Sequence, residues 1–391
     1  MTPSSTFIFY LCIDFIAVSL IACADSMVSE RRRSEIQAYR KGMLLRRNVI
    51  FTAHHLCFVI SFLVLFIVAA LRDHVGIDYN LYASTYVNIN SGHSYGYYDN
   101  WLSFGYVALC RFLGIFAPRN YEVMFAVVAF LTLYFLYKAI YKMSCSWWLS
   151  LCVFLCFCFY YSSFGQPRQF CAIALTTYAC SFLRKNINGG LRQKKYFLLY
   201  VLLAFSIHKS ALFMLVLYPC CHIRMNRRNL FTYVLILIGF HVAYDIVLWV
   251  ISNTSYKNYI GSNFDVAFNE NTAANSVMRL IMLVGCLLFA KSTVKRNPDT
   301  LIYYNSVIIC TILTTLSVKM YLIARMTQYF YVMYIFLIPE VVKSIQSHLT
   351  SNNKKIMLFL TLLLLLVYHF IYYALTNTGA RNYGVYKMMF L

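Results

Sequence analysis

Apolar runs long enough to cross a lipid bilayer recur along this chain, and no other feature limits its fold as strongly. A hydrocarbon core about 30 Å thick takes roughly 20 residues of helix to cross. Runs of this kind lie at 6–24, 50–71, 120–141, 147–163, 168–183, 230–251, 276–293, 300–318, 326–342 and 356–374, with two shorter ones at 196–207 and 210–222. Only 12% of the 391 residues are charged, whereas a soluble domain carries about a quarter. No polar stretch is long enough to hold a separate soluble domain. The expectation is an all-α integral membrane protein of about 12 transmembrane helices, forming a single transmembrane domain over residues 1–391. The first run lacks a basic start and leads into a basic cluster, so it reads as an anchor and not as a cleaved signal.

The net charge of +21 raises nucleic acid as a partner, but its pattern argues against that. The Lys and Arg residues sit in short clusters between apolar runs, as topology signals do. The densest cluster, Arg31, Arg32, Arg33, Arg40, Lys41, Arg46 and Arg47, marks an inside segment and places the N-terminus outside. Residues 101–117 are apolar but interrupted by Arg111. If they crossed, every later basic cluster would fall outside, so this segment reads as a helix lying on or dipping into the outer leaflet. It belongs to a large external loop at 72–119, and a second external loop spans 252–275. The fourteen cysteines lie mostly within apolar runs, without paired loop spacing, and read as small hydrophobic filler. No metal site and no cofactor motif is expected: there is no phosphate-binding glycine loop, no HExxH and no Cys/His ligand spacing.

Four clusters can carry chemistry. The first is Arg72, Gly76, Asp78, Tyr79 and Tyr82, just beyond the second run. A carboxylate here can serve as general base or bind a cation; the alternative is a solvated loop with interfacial tyrosines. The second is Gln166-Pro167-Arg168-Gln169. Proline marks a helix start, so Arg168 stands where free N–H groups and the helix dipole favour an anion; the alternative is an interfacial snorkelling arginine. The third is His208-Lys209-Ser210, the turn between runs 196–207 and 210–222. Arms of 12 and 13 residues reach only about 18–20 Å, so the polar tip lies below the outer surface, where lipid would not tolerate it outside a protein interior or a cavity. A packed, hydrogen-bonded histidine is the competing explanation. The fourth is Arg325, opening run 326–342, with Arg279 similarly placed at the start of another run. Snorkelling is the default for both.

Taken in order, these clusters resemble the EpsG-like branch of the Wzy-type polysaccharide polymerases, a group that includes the O-antigen polymerases of Gram-negative bacteria. The resemblance rests on Arg72…Gly76-Ile77-Asp78…Tyr82, Pro167-Arg168-Gln169, His208-Lys209-Ser210-Ala211 and Arg325…Tyr329. The chain departs from the pattern before the outer-leaflet helix, where it reads Asp99-Asn100-Trp101 in place of a glutamate. The resemblance implies a GT-C-like bundle in the bacterial inner membrane with a cavity facing the periplasm. It also implies transfer of a growing glycan from undecaprenyl pyrophosphate to a lipid-linked repeat unit. Asp78 is then the first candidate for general base and His208 the second. Arg72, Tyr82, Arg168, Gln169, Lys209, Arg279 and Arg325 are candidates for binding substrate and pyrophosphate. Arg168 and Arg325 are expected to converge on one outward cavity. Implied partners are undecaprenyl-pyrophosphate-linked glycans, membrane lipids and a chain-length regulator of the Wzz type.

Two other functions remain open from sequence. A flippase for lipid-linked oligosaccharide would also need outward arginines, but should show inverted repeats and broken helices in both halves. An O-antigen ligase would share the chemistry and differ in its acceptor. The topology is testable by itself. Both termini are expected outside, so alkaline phosphatase fused after Leu391 should be active; an inactive fusion, with green fluorescent protein fluorescing at the same position, overturns the assignment.

Overall fold

The computed structural model describes residues 3–40, 50–93, 102–184, 190–244, 246, 249, 252–253, 269–317, 321–377 and 386–389. Seventeen α-helices are named here in chain order: α1 Pro3–Arg40, α2 Ile50–Ala70, α3 Tyr79–Ser91, α4 Phe104–Gly114, α5 Glu122–Met143, α6 Trp147–Cys156, α7 Phe159–Gly165, α8 Pro167–Cys180, α9 Gly190–Ile207, α10 Leu217–Cys220, α11 Arg227–Val242, α12 Asn269–Leu288, α13 Ala290–Arg296, α14 Thr300–Ser317, α15 Tyr321–Tyr331, α16 Tyr334–Gln346 and α17 Ser351–Asn377. The β-pairing among the described residues is an isolated antiparallel bridge between Arg72 and Met388.

Five of these helices contain segments long and apolar enough to cross a membrane: Ser4–Val28, Ala53–Ala70, Glu122–Met143, Thr300–Ser317 and Ser351–Ile371. Two bent pairs, α6 with α7 (48°) and Ser276–Leu288 with α13 (60°), raise the number to as many as seven. Among the described residues, five to seven segments thus have the length and apolarity of a crossing, against the dozen apolar runs of the sequence. Helix breakage, to which hydropathy is blind, accounts for part of the difference, and part of run 230–251 lies outside the described residues. Run 168–183 becomes the 14-residue α8, about 21 Å long, followed by a 3₁₀ turn at Ser181–Leu183. The run around 326–342 is split between α15 and α16. At the start of the chain the opposite occurs, because α1 continues as helix through the basic cluster to Arg40.

The hairpin around His208 also differs from expectation. Its first arm is the 18-residue α9, and its second begins as a 3₁₀ helix over Lys209–Val216. Runs of 3₁₀ beyond three or four residues are uncommon. This one has a packing reason: with three residues per turn, Ala211 and Met214 fall on one face, and both are fully buried.

The chain divides into two compact units. The first comprises Met1–Tyr178, Ser206–His208 and Lys355–Leu391. On α1, Thr6, Tyr10, Ala17, Ile21 and Ala24 form a buried stripe at helical spacing. Ser61 of α2 donates to Ala17 O (2.8 Å) and lies 2.9 Å from the Tyr137 hydroxyl of α5, tying three helices together. Asp25 accepts from Ser146 Oγ (3.2 Å) and Trp147 N (3.0 Å), so a carboxylate of α1 caps the start of α6. Between α6 and α7, Cys158 takes a left-handed conformation (φ 56°), which accounts for the bend. The segment 386–389 returns to the end of α2. Asp73 N donates to Lys387 O, Met389 N donates to Leu71 O, and buried Tyr386 donates its hydroxyl to Val68 O (2.9 Å) while stacking on Phe9.

The second unit comprises Ala179–Phe205 and Lys209–Lys354. Its centre is α14, almost wholly buried. Small polar groups bind it to its neighbours: Tyr233 donates to Asn305 Oδ1 (2.6 Å), Tyr304 to Cys286 O (2.9 Å) and Ser276 to Thr314 O (3.2 Å). Two ion pairs close one end. Arg184 Nε reaches the buried Asp299 at 2.9 Å, and Arg296 pairs with buried Glu340, which also accepts from Asn297 Nδ2 (2.8 Å).

One glycine sets the geometry needed below. Gly76 has φ +114°, and a Cβ there would strike the carbonyl of Phe164 and the backbone N of Gly165. Gly92 also has a positive φ, +72°, but open space around it. Gly76→Ala should therefore destabilise the folded protein by more than the roughly 1–2 kcal/mol of backbone strain alone, and Gly92→Ala by no more than that strain. Melting of the detergent-solubilised protein checks this, and equal losses in the two variants would contradict it.

Candidate functional site

In the first unit the turn after α2 lies against the break between α7 and α8, and Gly76 permits the contact. Arg72, at the start of the turn, is 2% exposed. Its guanidinium lies 5.0 Å from the ring centres of both Phe125 and Phe164 and donates to Ala69 O, while its backbone carries the bridge to Met388. Nε has no hydrogen-bond partner in this cage. Burial pushes the Arg72 pKa down to about 10, partly offset by the surrounding tyrosines, so the side chain is still a cation near neutral pH. Arg72, selected from sequence as a substrate contact, is thus enclosed by aromatic rings.

Arg168 is placed differently. Pro167 is the first residue of α8, and the helix's first hydrogen bond runs from Phe170 N to Gln166 O (3.0 Å). Arg168 therefore stands in the opening turn, where N–H groups have no intrahelical partner. Its Nε donates to the Tyr82 hydroxyl at 3.2 Å, and its guanidinium lies over the rings of Tyr82 (5.4 Å) and Tyr106 (5.1 Å). The two rings meet edge to face. Stacking fixes the guanidinium plane and engages Nε, and the side chain keeps partial exposure.

Asp78 immediately precedes α3, and its carbonyl accepts from Tyr82 N (2.9 Å). Its carboxylate does not cap the helix. One helical turn separates Asp78 from Tyr82, so both lie on the same side of α3's first turn. Gln169, next to Arg168, is buried. His208 follows the end of α9 directly. Gly105 of α4 is packed so closely on Ser206 that a Cβ would collide with its hydroxyl. The approach to His208 and the start of α4 are thereby neighbours within this unit.

Lys209, Arg279 and Arg325 belong to the second unit. Arg279 reaches from α12 to Thr314 Oγ1 (2.7 Å) on α14 and Thr327 Oγ1 (3.0 Å) on α15, with the Tyr331 ring 4.1 Å from its guanidinium. Arg325 lies on α15, partly exposed, in the helix that carries Thr327, Tyr329 and Tyr331. Ser210 Oγ contacts the Tyr329 hydroxyl at 3.4 Å, so the second half of the His208-Lys209-Ser210 motif is tied to the Arg325 helix.

The structure thus joins the Asp78 and Arg168 motifs in one cluster and the Lys209-Ser210 and Arg325 motifs in another. Sequence reasoning missed Tyr106, Thr314, Thr327 and Tyr331. Tyr106 carried a usable signal, because Tyr106, Cys110 and Leu113 are spaced 4 and 3 apart on one face of α4 and all are buried. Nothing in their sequence context marks the two threonines, which acquire their role from interhelical packing. Asp99, Asn100 and Trp101, where the chain departs from the family pattern, lie outside the described residues, as does most of loop 252–275. Among the described residues no group of three or more His, Cys, Asp or Glu could hold a metal ion.

Arranged in this way, the first cluster can do three things. It can present a planar cation and a helix start to a phosphate, offer flat aromatic faces to a sugar, and place a carboxylate one turn away as a proton acceptor. Neither the curated proteins nor the solved structures compared with the chain include a match. A family does match, over residues 55–388, a stretch that contains every residue of both clusters and the Met388 bridge to Arg72. On that match, which covers most of its length, the chain belongs to the EpsG family.

Proposed function

We propose that this chain polymerises lipid-pyrophosphate-linked oligosaccharide repeat units at the outer face of the bacterial inner membrane. Membership of the EpsG family supports a glycosyltransferase- or polymerase-like role in polysaccharide biosynthesis. The observation that carries the finer reading is Arg168, in the first turn of α8 and laid over Tyr82 and Tyr106, beside a helix that opens with Asp78.

In the proposed reaction, a hydroxyl at the non-reducing end of one undecaprenyl-pyrophosphate-linked repeat unit attacks the anomeric carbon of the growing chain. The new C–O bond forms as the anomeric bond to pyrophosphate breaks, and the electron pair leaves with undecaprenyl pyrophosphate. The hydroxyl proton passes to Asp78. Arg168 stabilises the charge growing on the leaving group through charge-assisted hydrogen bonds that strengthen as the bond breaks. Tyr82 holds Arg168 in plane, and Gln169 supports the same turn. His208 positions the acceptor, while Lys209, Arg279 and Arg325 are further candidates for contacts with lipid-linked phosphates. Arg72, held within its cage, carries positive charge into the same loop from below. The reading extends to a GT-C-like bundle of about a dozen full and partial crossings, and to a chain-length regulator as partner.

Three experiments test this. Arg168→Lys keeps the charge and removes the planar fork, so polymerisation should fall at least about tenfold, equivalent to about 1.4 kcal/mol. Normal glycan length in both Arg168→Lys and Arg168→Ala strains, at unchanged protein level, refutes the role. Asp78→Asn keeps the size and loses proton acceptance, so glycans should collapse to single repeat units, while His208→Gln should stay partly active. A normal ladder with Asp78→Asn and none with His208→Gln would move the base to His208. Complete loss of glycan attachment in a deletion strain, in place of single units, would indicate a ligase.

A further inference from the structure

The outer helix α4 has two faces with different destinations. Toward the protein it turns Tyr106, Cys110 and Leu113, all buried. Away from it point Phe104, Phe112 and Ile115, with Phe116 just past the helix end; Phe104, Ile115 and Phe116 are 70, 74 and 77% exposed. Positions 104, 108, 111, 112 and 115 fall on one side of a 3.6-residue helix, opposite 106, 110 and 113. Gly105 and Gly114 lie on the flanks between these faces, where Ser206 and Asn90 come so close that a Cβ would collide with either side chain. The helix is therefore gripped on its inner side and both flanks, and is open on the outer one.

Three observations identify what covers that side. The first is charge: residues 101–121 contain Arg111 and Arg119, both exposed, and no Asp or Glu. The second is height, since the membrane-crossing α5 begins at Glu122, three residues after Arg119, so the end of α4 sits where a crossing starts. The third is length: the 11 residues of α4 span about 17 Å, too short to cross but long enough to lie along the surface. An apolar face edged by arginines at the level of a helix entry fits acyl chains below and phosphates beside it.

We propose that the outer face of α4 binds anionic phospholipid headgroups of the outer leaflet, with Phe104, Phe112, Ile115 and Phe116 seated among the upper acyl chains and Arg111 and Arg119 on the phosphates. This goes beyond the polymerase reading and does not depend on it. It also gives α4 a second task, because its inner face carries Tyr106, whose ring lies under Arg168. The leaflet thus holds in place the wall against which the site arginine is stacked.

The test uses the full chain in nanodiscs of phosphatidylcholine with or without one quarter phosphatidylglycerol. Phe116→Trp adds emission to that of the four native tryptophans, and Phe104→Trp reports from the other end of the same face should the first variant fold poorly. Shallow-brominated lipid should quench the added emission at least twofold, and aqueous acrylamide should leave it nearly unchanged. Replacing phosphatidylglycerol with phosphatidylcholine should reduce the lipid quenching, and Arg111→Gln/Arg119→Gln should abolish that difference. Quenching by acrylamide alone overturns the proposal in favour of a solvated face. Protection from both quenchers overturns it in favour of a protein partner or a second copy. Equal quenching in the two lipids overturns the assignment to anionic headgroups.

Discussion

The contact of Gly76 with the Phe164–Gly165 backbone governs how the first unit brings its functional residues together. Phe164 and Gly165 end α7, and two residues later Pro167 begins α8. A chain that approaches there without a Cβ places the Arg72 turn and the start of α3 directly beside the start of α8. Arg72 can then reach the Phe164 ring, and Tyr82 can reach Arg168. Any side chain at position 76 would push on backbone, which cannot rotate away. The glycine and the aspartate of the Gly76-Ile77-Asp78 motif thus have separate duties. The glycine fixes the position of the turn, and the aspartate begins the helix that the turn delivers.

Charges in such a protein have few ways to be tolerated, and this chain uses three. A carboxylate can be held by strong donors, as Asp25 of α1 is by Ser146 Oγ and Trp147 N at the start of α6. Ion pairs serve at the end of the second unit, where Asp299 and Glu340 are buried against Arg184 and Arg296. Removing one partner there would strand the other, at a cost of about 3–5 kcal/mol. Arg72, Arg168 and Arg279 use the third way, resting on aromatic rings and neutral oxygens. A ring face attracts a cation without neutralising it. An arginine held so retains more of its field for an anion than one already paired with a carboxylate.

Much of this could be read from sequence, and the failures have identifiable causes. The apolar runs indicated helices in a membrane, and Pro167 correctly marked a helix start at Arg168, because proline's fixed φ acts locally. Helix continuity was not legible. The bend at Cys158 depends on a left-handed residue that is not glycine, and the 3₁₀ segment after His208 buries Ala211 and Met214 on one face. Both are tertiary choices with no local signature. Arg72 shows the same limit from another side, since a sequence gives the charge but not the two phenylalanines, from α5 and α7, that enclose it.

The contrast between Arg72 and Arg168 carries the last step. Both are arginines outside the long crossings, both touch aromatic rings, and only their exposure and hydrogen bonds separate them. Arg72 is sealed, with its backbone bridged to Met388 and Tyr386 packed at the end of α2. Moving it would mean breaking the contacts that hold segment 386–389, so it serves as a fixed charge in the floor of the loop. Arg168 is braced by two tyrosines on two different helices, α3 and α4, and keeps partial exposure. Its orientation is set by both elements, which are themselves packed together through Asn90 against Gly114 and Tyr82 against Tyr106. That division leaves one cation sealed in the loop and another partly exposed at a helix start.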